Sequence, residues 1–181
     1  MPVEIPEPWV SFLREVDQTL SQPIKVHCLG GFVLYVMWRP PRVTGDVDFN
    51  YIDPSGANSE LLRIAGEGSD LANRYHLKFQ RVANADCPAD YESRLIDITP
   101  GSFRRLRLLG FEVHDLVLAK LARGIKRDRE DVAFLVKKGA IDRDLLEKRF
   151  EEEVRPYTLN EARHANNLKL CLDECFGAEG Q

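Results

Sequence analysis

Hydrophobic and polar positions alternate along several short stretches in the first half of the chain, as in β-strands with one buried face. The clearest stretches are IKVHCL and DVDFNYI, and LKFQRV, SRLIDI and FRRLRLLGFEV are weaker examples. Before the first strand, Pro8 precedes WVSFLREVDQTL, in which apolar residues recur at helical spacing. A further helix is predicted after DPSGAN, capped by Asn58 or Ser59.

The pattern changes to helical periods after about residue 113. HDLVLAKLARGI and DREDVAFLVKKG carry apolar stripes, and a last helix is predicted to begin at TLNE, where Thr158 and Glu161 form a capping box. We therefore predict an α/β (α+β) fold. It consists of a small mixed β-sheet flanked by helices over residues 1–113, with a C-terminal helical region, 114–181, packed on that core in one compact domain overall.

Composition limits the compartment. The chain has 181 residues, of which 44% are hydrophobic and 30% are charged, an ordinary mixture for a domain with a buried core. No apolar run is long enough to span a bilayer. The first residues, MPVEIPEPWVSF, contain acidic residues and prolines where a signal peptide needs a basic and then an apolar region. We expect a cytoplasmic protein without a membrane partner.

Charge is distributed unevenly in this acidic protein, whose formal net charge is −4. Residues 101–130 carry eight basic and four acidic side chains. A patch for phosphates explains this segment, and so does a solvated helix and strand face. The acidity of the whole chain argues against unspecific binding of nucleic acid.

Two aspartates alternate with apolar residues in DVDFNYI. A regular strand would place Val47, Phe49 and Tyr51 on one face, and Asp46 and Asp48 on the other together with the following asparagine, with the two aspartate Cα atoms about 6–7 Å apart. Neighbouring carboxylates repel each other, and a divalent cation such as Mg²⁺ commonly relieves that repulsion. Taken alone, however, Asp-x-Asp favours the simpler interpretation of a polar strand face in water.

Fourteen residues separate the glycine pair, Gly30 and Gly31, from the strand-like stretch that opens with Asp46. Glycines after a strand let the backbone approach a phosphate closely. LGG and DVDF resemble the hydrophobic-Gly-Gly/Ser and Asp-x-Asp motifs of the nucleotidyltransferase superfamily, to which the DNA polymerase β-like enzymes belong. The resemblance implies a helix over FVLYVMW, Mg²⁺ or Mn²⁺ held by Asp46 and Asp48, and NTP phosphates lined by Gly30, Gly31 and Thr44.

A second pair of motifs resembles AbiEii-type toxins and related uncharacterised bacterial families. RVTGDVDF is similar to their Arg-x-Ser/Thr-x-Asp-hydrophobic-Asp, and DLVLAKLARGIKRDREDV is similar to their later motif. The resemblance implies that Lys120 contacts nucleotide phosphate and that Arg42, Arg127, Asp128 and Asp131 belong to the nucleotide site. The alternative is a pair of helices with ion pairs between their charged side chains, in which Arg127 and Asp131 form an ordinary helical ion pair.

A third metal carboxylate has two candidates. Asp97, in RLIDI, is the strand candidate, because the superfamily often places this group on a later strand. Asp128 is the candidate that the AbiEii-like motif implies. With Asp46 and Asp48, these residues form the predicted catalytic set.

The resemblance implies a function as well as a fold. We expect Mg-dependent transfer of an NMP from an NTP to an acceptor hydroxyl, at the 3′ end of an RNA or on a protein. RNA such as tRNA would contact the basic residues between 104 and 129, and a cognate antitoxin would be the partner if the protein is the toxin of a toxin–antitoxin pair. The alternative is a nucleotide-binding or regulatory module of the same fold without transferase activity, acting through a protein partner.

Overall fold

The computed structural model describes residues 4–83 and 85–177, and the chain forms two compact units. The first unit contains residues 1–84 and 95–111, and the second contains residues 85–94 and 112–181. The predicted boundary at residue 113 stays a prediction. The short segment 85–94, however, belongs with the C-terminal helices rather than with the sheet. The expectation of one compact domain overall stays a prediction.

The first unit is built around a five-stranded mixed sheet of strand order β3-β2-β1-β5-β4. Strand β1 pairs antiparallel with β2 and parallel with β5, β3 runs parallel to β2, and β4 runs antiparallel to β5. This confirms the predicted mixed sheet with flanking helices. In chain order the elements are α1 (Trp9–Thr19), β1 (Ile24–Leu29), α2 (Gly30–Trp38), β2 (Asp46–Asp53), α3 (Ala57–Ala65), α4 (Asp70–Tyr75), β3 (Lys78–Arg81), β4 (Ile96–Asp97) and β5 (Leu106–Gly110).

One face of the sheet is apolar and carries the core of this unit. Helix α1 packs there, and the ring of its Phe12 stacks on that of Phe79 in β3 with centroids 6.0 Å apart. Trp9 of α1 contacts Phe32 of α2, with ring centroids 4.7 Å apart. These four aromatic side chains are at most 2% exposed. Burial of each side chain stabilises the fold by about 1.5–3 kcal/mol, so the packing of α1 and α2 stabilises this face of the sheet.

A β-bulge interrupts the predicted alternation along β2. His27 pairs with Tyr51, but the next residue of β1 pairs with Phe49, so Asn50 has no partner on β1. The extra residue moves all later side chains to the opposite face. Tyr51 is therefore 45% exposed and Ile52 is buried, whereas strict alternation predicts Tyr51 on the same face as Val47 and Phe49.

The register defines a second sheet face, which we call the carboxylate face because Asp48 belongs to it. Asp48, Tyr51 and Asp53 of β2 pair in turn with Leu29, His27 and Lys25 of β1, which alternate along that strand. Cross-strand partners share one face of a sheet. Asp46, two residues before Asp48, lies on it too. The bulge thus brings both halves of β2 to the same polar surface.

The helical segment after β2 is divided in two. Helix α3 begins at Ala57 after Gly56, so neither Asn58 nor Ser59 caps it as predicted. It ends at Gly66, where a side chain would collide with the carbonyl oxygen of Leu62. A separate helix, α4, follows, and its cap Ser69 accepts a 3.1 Å hydrogen bond from a backbone N–H.

The second unit is helical, as predicted for the C-terminal region. Asn160 caps its last helix by accepting a 3.1 Å hydrogen bond from the N–H of Arg163, so the predicted cap Thr158 lies just outside that helix. None of the helices in the described part of the chain is both long and apolar enough to cross a membrane. The elements are a 3₁₀ turn (Tyr91–Arg94), α5 (Val113–Arg123), α6 (Lys126–Lys137), α7 (Arg143–Arg149), a π-helical turn (Phe150–Val154) and α8 (Glu161–Phe176).

Candidate functional site

The glycine pair and the strand that carries the aspartates meet at the end of β1. Gly30 has φ of +78°, and a Cβ atom built there would lie 3.2 Å from the Cβ of Asp48 and closer still to its carboxylate. A Cβ on Gly31 would lie 3.0 Å from the hydroxyl of Thr44. Only glycine tolerates both the backbone conformation at Gly30 and this close approach. The structure therefore brings together four of the predicted site residues.

The same glycines form the start of helix α2, which the structure confirms over FVLYVMW. Its N-cap, Leu29, provides no side-chain hydrogen bond, and its first turn contains no acidic residue. The first N–H groups of a helix have no partner within the helix, and together with the helix dipole they favour an anion. Thr44 is close by, and its hydroxyl accepts a 3.4 Å hydrogen bond from the N–H of Asp46.

Asp46 and Asp48 are half-buried, and a lysine on the neighbouring strand faces them. Lys78 of β3 is in register with Asp46, and its Nζ atom lies 3.8 Å from Asp46 Oδ1. It also contacts Glu67. The hydrogen bond to Glu67, followed by the charges of Asp46 and Asp48, raises the pKa of Lys78. Lys78 thus offsets part of the repulsion between the two aspartates.

Asp46, Glu67 and Lys78 border a cleft of about 350 Å³, whereas Asp48 does not line it. Its lining is mainly polar and includes Asp46, Glu67, His76 and Lys78. Neither Gly30 nor Gly31 lines this cleft, which borders Asp46 at the start of β2. The sequence predicted the wall formed by β2, but not the wall formed by α4 and β3.

The aspartate pair fits a hard divalent cation. Carboxylate oxygens are preferred ligands of Mg²⁺, which commonly takes one or two of them together with water and substrate phosphates. In residues 4–83 and 85–177, no group of three or more His, Cys, Asp or Glu side chains is arranged to hold a metal ion. Strand β3 carries Gln80, not a carboxylate, opposite Asp48. Asp46 and Asp48 are therefore the two carboxylates that this part of the sheet offers, and metal binding by them stays a prediction.

Asp97 lies away from this pair. The sheet order places its strand, β4, three strands from β2, a separation of about 14 Å. Its carboxylate accepts a 3.0 Å hydrogen bond from the N–H of Thr99 and a 2.8 Å bond from Nε of Arg107. Asp97 thus starts the turn after β4 and binds a neighbouring strand. The structure does not bring this candidate to Asp46 and Asp48.

The residues of the later motif form a charged cluster within the second unit. The Nζ atom of Lys120 lies 2.6 Å from Oδ2 of Asp131 and 3.9 Å from Oδ1 of Asp128. Arg123 donates two hydrogen bonds to Asp128, of 2.8 and 2.9 Å. Both aspartates and Lys120 are buried, whereas Arg127 is exposed on the same helix. Asp131 therefore pairs with Lys120, and the assignment of this motif to nucleotide binding stays a prediction.

Residues 11–176 match the DUF6036 family, which is described as a nucleotidyltransferase of unknown function. The chain belongs to this family. The match covers almost the whole chain and confirms the nucleotidyltransferase likeness that LGG and DVDF predicted. No curated protein and no solved structure matches the chain. The closer likeness of this DUF6036 protein to AbiEii-type toxins stays a prediction.

Lys78 and Gln80 of the DUF6036 protein lie opposite Asp46 and Asp48, although neither was a predicted site residue. The alternation in LKFQRV does place Lys78 and Gln80 on one face of a strand. Nothing local to that segment indicates that it pairs with β2 in this register. Arg42 is half-buried in the segment before Thr44, and its predicted role in nucleotide binding stays a prediction.

Replacement of Gly30 by alanine in this DUF6036 nucleotidyltransferase is expected to weaken Mg-dependent nucleotide binding at least about tenfold, because the new methyl group displaces Asp48. The positive φ alone should lower the free energy of unfolding by about 1–2 kcal/mol. Gly139→Ala is the matched control, since Gly139 also has positive φ (+67°) but open space around it. Equal loss of stability in both variants with unchanged nucleotide binding in Gly30→Ala would show that Gly30 serves backbone geometry alone.

Proposed function

We propose that this DUF6036 nucleotidyltransferase transfers an NMP from an NTP to an acceptor hydroxyl with Mg²⁺ or Mn²⁺ held at Asp46 and Asp48. The observation that carries the proposal is the contact between Gly30, at the N-terminus of α2, and the carboxylate of Asp48. This arrangement supports binding of phosphate by the start of α2 beside an oxygen ligand for a cation.

The side chains have distinct parts in this reaction. The backbone N–H groups at Gly30 and Gly31 bind phosphate oxygens. The hydroxyl of Thr44 lies beside them and orients the triphosphate. Lys78 adds positive charge next to Asp46, which favours an anionic triphosphate. Asp46 and Asp48 would hold the cation, which when bound would supply neutralisation of charge on the triphosphate.

The chemical step is an in-line displacement at the α-phosphorus. The acceptor oxygen forms a new bond to that phosphorus, the bond to the β-phosphate oxygen breaks, and pyrophosphate leaves with the electron pair. The proton of the acceptor hydroxyl passes to solvent. Positioning and charge neutralisation supply most of the acceleration in reactions of this kind.

The acceptor that we propose is the 3′ end of an RNA such as tRNA, or a protein hydroxyl. The similarity of RVTGDVDF and of the later motif to AbiEii-type toxins supports this proposal, as do the basic residues between 104 and 129. We further propose a cytoplasmic protein that acts as the toxin of a toxin–antitoxin pair, with an antitoxin as protein partner.

One observation favours a second candidate, a nucleotide-binding or regulatory module without transferase activity. Asp128 is completely buried and is bound by both nitrogens of the Arg123 fork, and Asp97 is bound to Arg107. Both candidates for a third metal carboxylate thus have other partners. A protein with only two carboxylates could hold a nucleotide through its phosphates and act through a partner.

Incubation of the purified protein with each labelled NTP, Mg²⁺ or Mn²⁺, and tRNA or cell-extract protein tests the two candidates. We expect label to appear in one acceptor and EDTA to abolish its transfer. Mg-dependent nucleotide binding without transfer to any acceptor would establish the second candidate. Absence of Mg-dependent nucleotide binding would contradict both.

A further inference from the structure

A second cleft of about 380 Å³ lies in the first unit, at the opposite end of β2 from the glycine pair. Asp53 borders it, five residues after Asp48, which corresponds to about 16 Å along a strand. The cleft is therefore separate from the Asp46–Asp48 site. The side chains that matter for its chemistry are Lys25, Asp53, Asp97, Arg104, Arg105 and Arg107.

Positive charge prevails in this cleft, since four of its side chains are basic and two are acidic. Lys25 and Arg107 are cross-strand partners on β1 and β5, and both are exposed. Arg107 binds Asp97, but the side chains of Lys25 and Arg104 form no hydrogen bond or ion pair with any residue that the structure describes. The cross-strand partners of Lys25 are Arg107 on β5 and Asp53 on β2, and its ammonium group forms no ion pair with Asp53. Lys25 and Arg104 are therefore the basic groups of the cleft that can contact an anion.

The basic segment is held in a fixed conformation by α1. The carboxylate of Asp17, which is only 7% exposed, accepts hydrogen bonds from three successive N–H groups, of Arg104 (3.2 Å), Arg105 (2.6 Å) and Leu106 (2.8 Å). The guanidinium of Arg105 donates to the carbonyl oxygen of Leu20 at 2.5 Å. A segment anchored in this way loses little conformational entropy when a ligand binds.

We propose that this cleft binds a phosphorylated small molecule, with its phosphate on Lys25 and Arg104. Lysine and arginine are the usual partners of phosphate groups, and the volume falls in the range of small-ligand pockets. Phe103 supplies an apolar wall for a sugar or base ring, and Asp53 supplies an acceptor for a ligand hydroxyl. Asp53 and Asp97 within the cleft disfavour a polyanion there, so the RNA acceptor proposed above would contact the later basic residues of the segment, such as Arg127 and Arg129.

Calorimetric titration of the full chain with ribose 5-phosphate in EDTA tests this proposal, because chelation removes any cation from Asp46 and Asp48. We expect saturable binding to the wild type, and Lys25→Ala and Arg104→Ala should each weaken it at least about tenfold. Asp48→Ala should bind equally well, so that failure of the proposed transferase site and failure of this cleft are distinguishable. Arg63→Ala, which removes an exposed arginine of α3, is the matched control.

Two results would overturn the proposal. The first is absence of ribose 5-phosphate binding, or binding that survives both Lys25→Ala and Arg104→Ala. The second is competition by a short single-stranded RNA that binds more tightly than ribose 5-phosphate and depends on the same two residues, which would assign the cleft to nucleic acid. Thermal melting of each variant checks that it is folded, as expected for exchanges of exposed side chains.

Discussion

Replacement of Asp48 by alanine is expected to lower the rate of nucleotidyl transfer by at least about 10³-fold, since it removes one of the two carboxylates that would hold the cation. The same variant should lose Mg-dependent nucleotide binding. Single-turnover transfer of labelled NMP measures the first effect and calorimetry measures the second. Asp46→Ala should behave in the same way, because both carboxylates project from alternate positions of β2 on one face.

Stability separates this chemical effect from misfolding. The two aspartates lie near each other on one face of β2, so removal of one carboxylate relieves repulsion while it also removes the contacts of that carboxylate. The melting temperature of Asp48→Ala should therefore stay within a few degrees of that of the wild type. Asp173→Asn, which neutralises an exposed carboxylate of α8, is the control for a change of charge. Full transferase activity in Asp48→Ala would exclude the pair as the metal site.

Replacement of Asp115 by alanine is expected to lower the free energy of unfolding by about 3–5 kcal/mol. Asp115, in the first turn of α5, is completely buried and accepts hydrogen bonds of 2.9 and 3.0 Å from Arg94 and of 2.9 Å from Arg149. The variant leaves two largely buried guanidinium groups without this carboxylate. Urea unfolding followed by circular dichroism measures the loss.

An exposed ion pair is the matched control for Asp115. Arg143 and Glu147 lie four residues apart on α7 with a 3.1 Å contact, and both side chains are more than 40% exposed. Exposed pairs contribute at most about 1 kcal/mol, so Arg143→Ala should change stability little. If Asp115→Ala cost no more than this control, Glu153, which also binds Arg94 at 2.7 Å, would suffice to hold the cluster.

Local sequence pattern predicted the elements of the candidate site well. The alternation in IKVHCL and the glycines behind it placed β1 and its end, and Asp46 and Asp48 were correctly assigned to one face of a strand. These signals are local, because strand period and glycine conformation depend on a few neighbouring residues. The contact of Gly30 with Asp48 followed from the superfamily resemblance, since it joins two segments that sequence spacing alone cannot bring together.

Long-range pairing explains most of what sequence could not predict. The position of Asp97 depends on strand order, and no local signal shows that β5 and β1 separate β4 from β2. A lysine on a helix is usually exposed, and no local signal predicts otherwise for Lys120. It is nevertheless buried, because its ammonium group pairs with Asp131 and lies near Asp128. No glycine marks the bulge at Asn50 in the sequence, so the strand period predicted the wrong face for Tyr51.

That bulge has a consequence for comparisons among members of the family. The side chains of β2 on the carboxylate face occur at positions 46, 48, 51 and 53, with a gap of three in the middle. A relative with one residue fewer between Asp48 and Tyr51 would turn the second half of the strand over and bury its polar residues. In family alignments, we therefore expect single-residue deletions here to be rarer than substitutions of Asn50, because the length of the strand, more than the identity of that residue, keeps its two ends on a common surface.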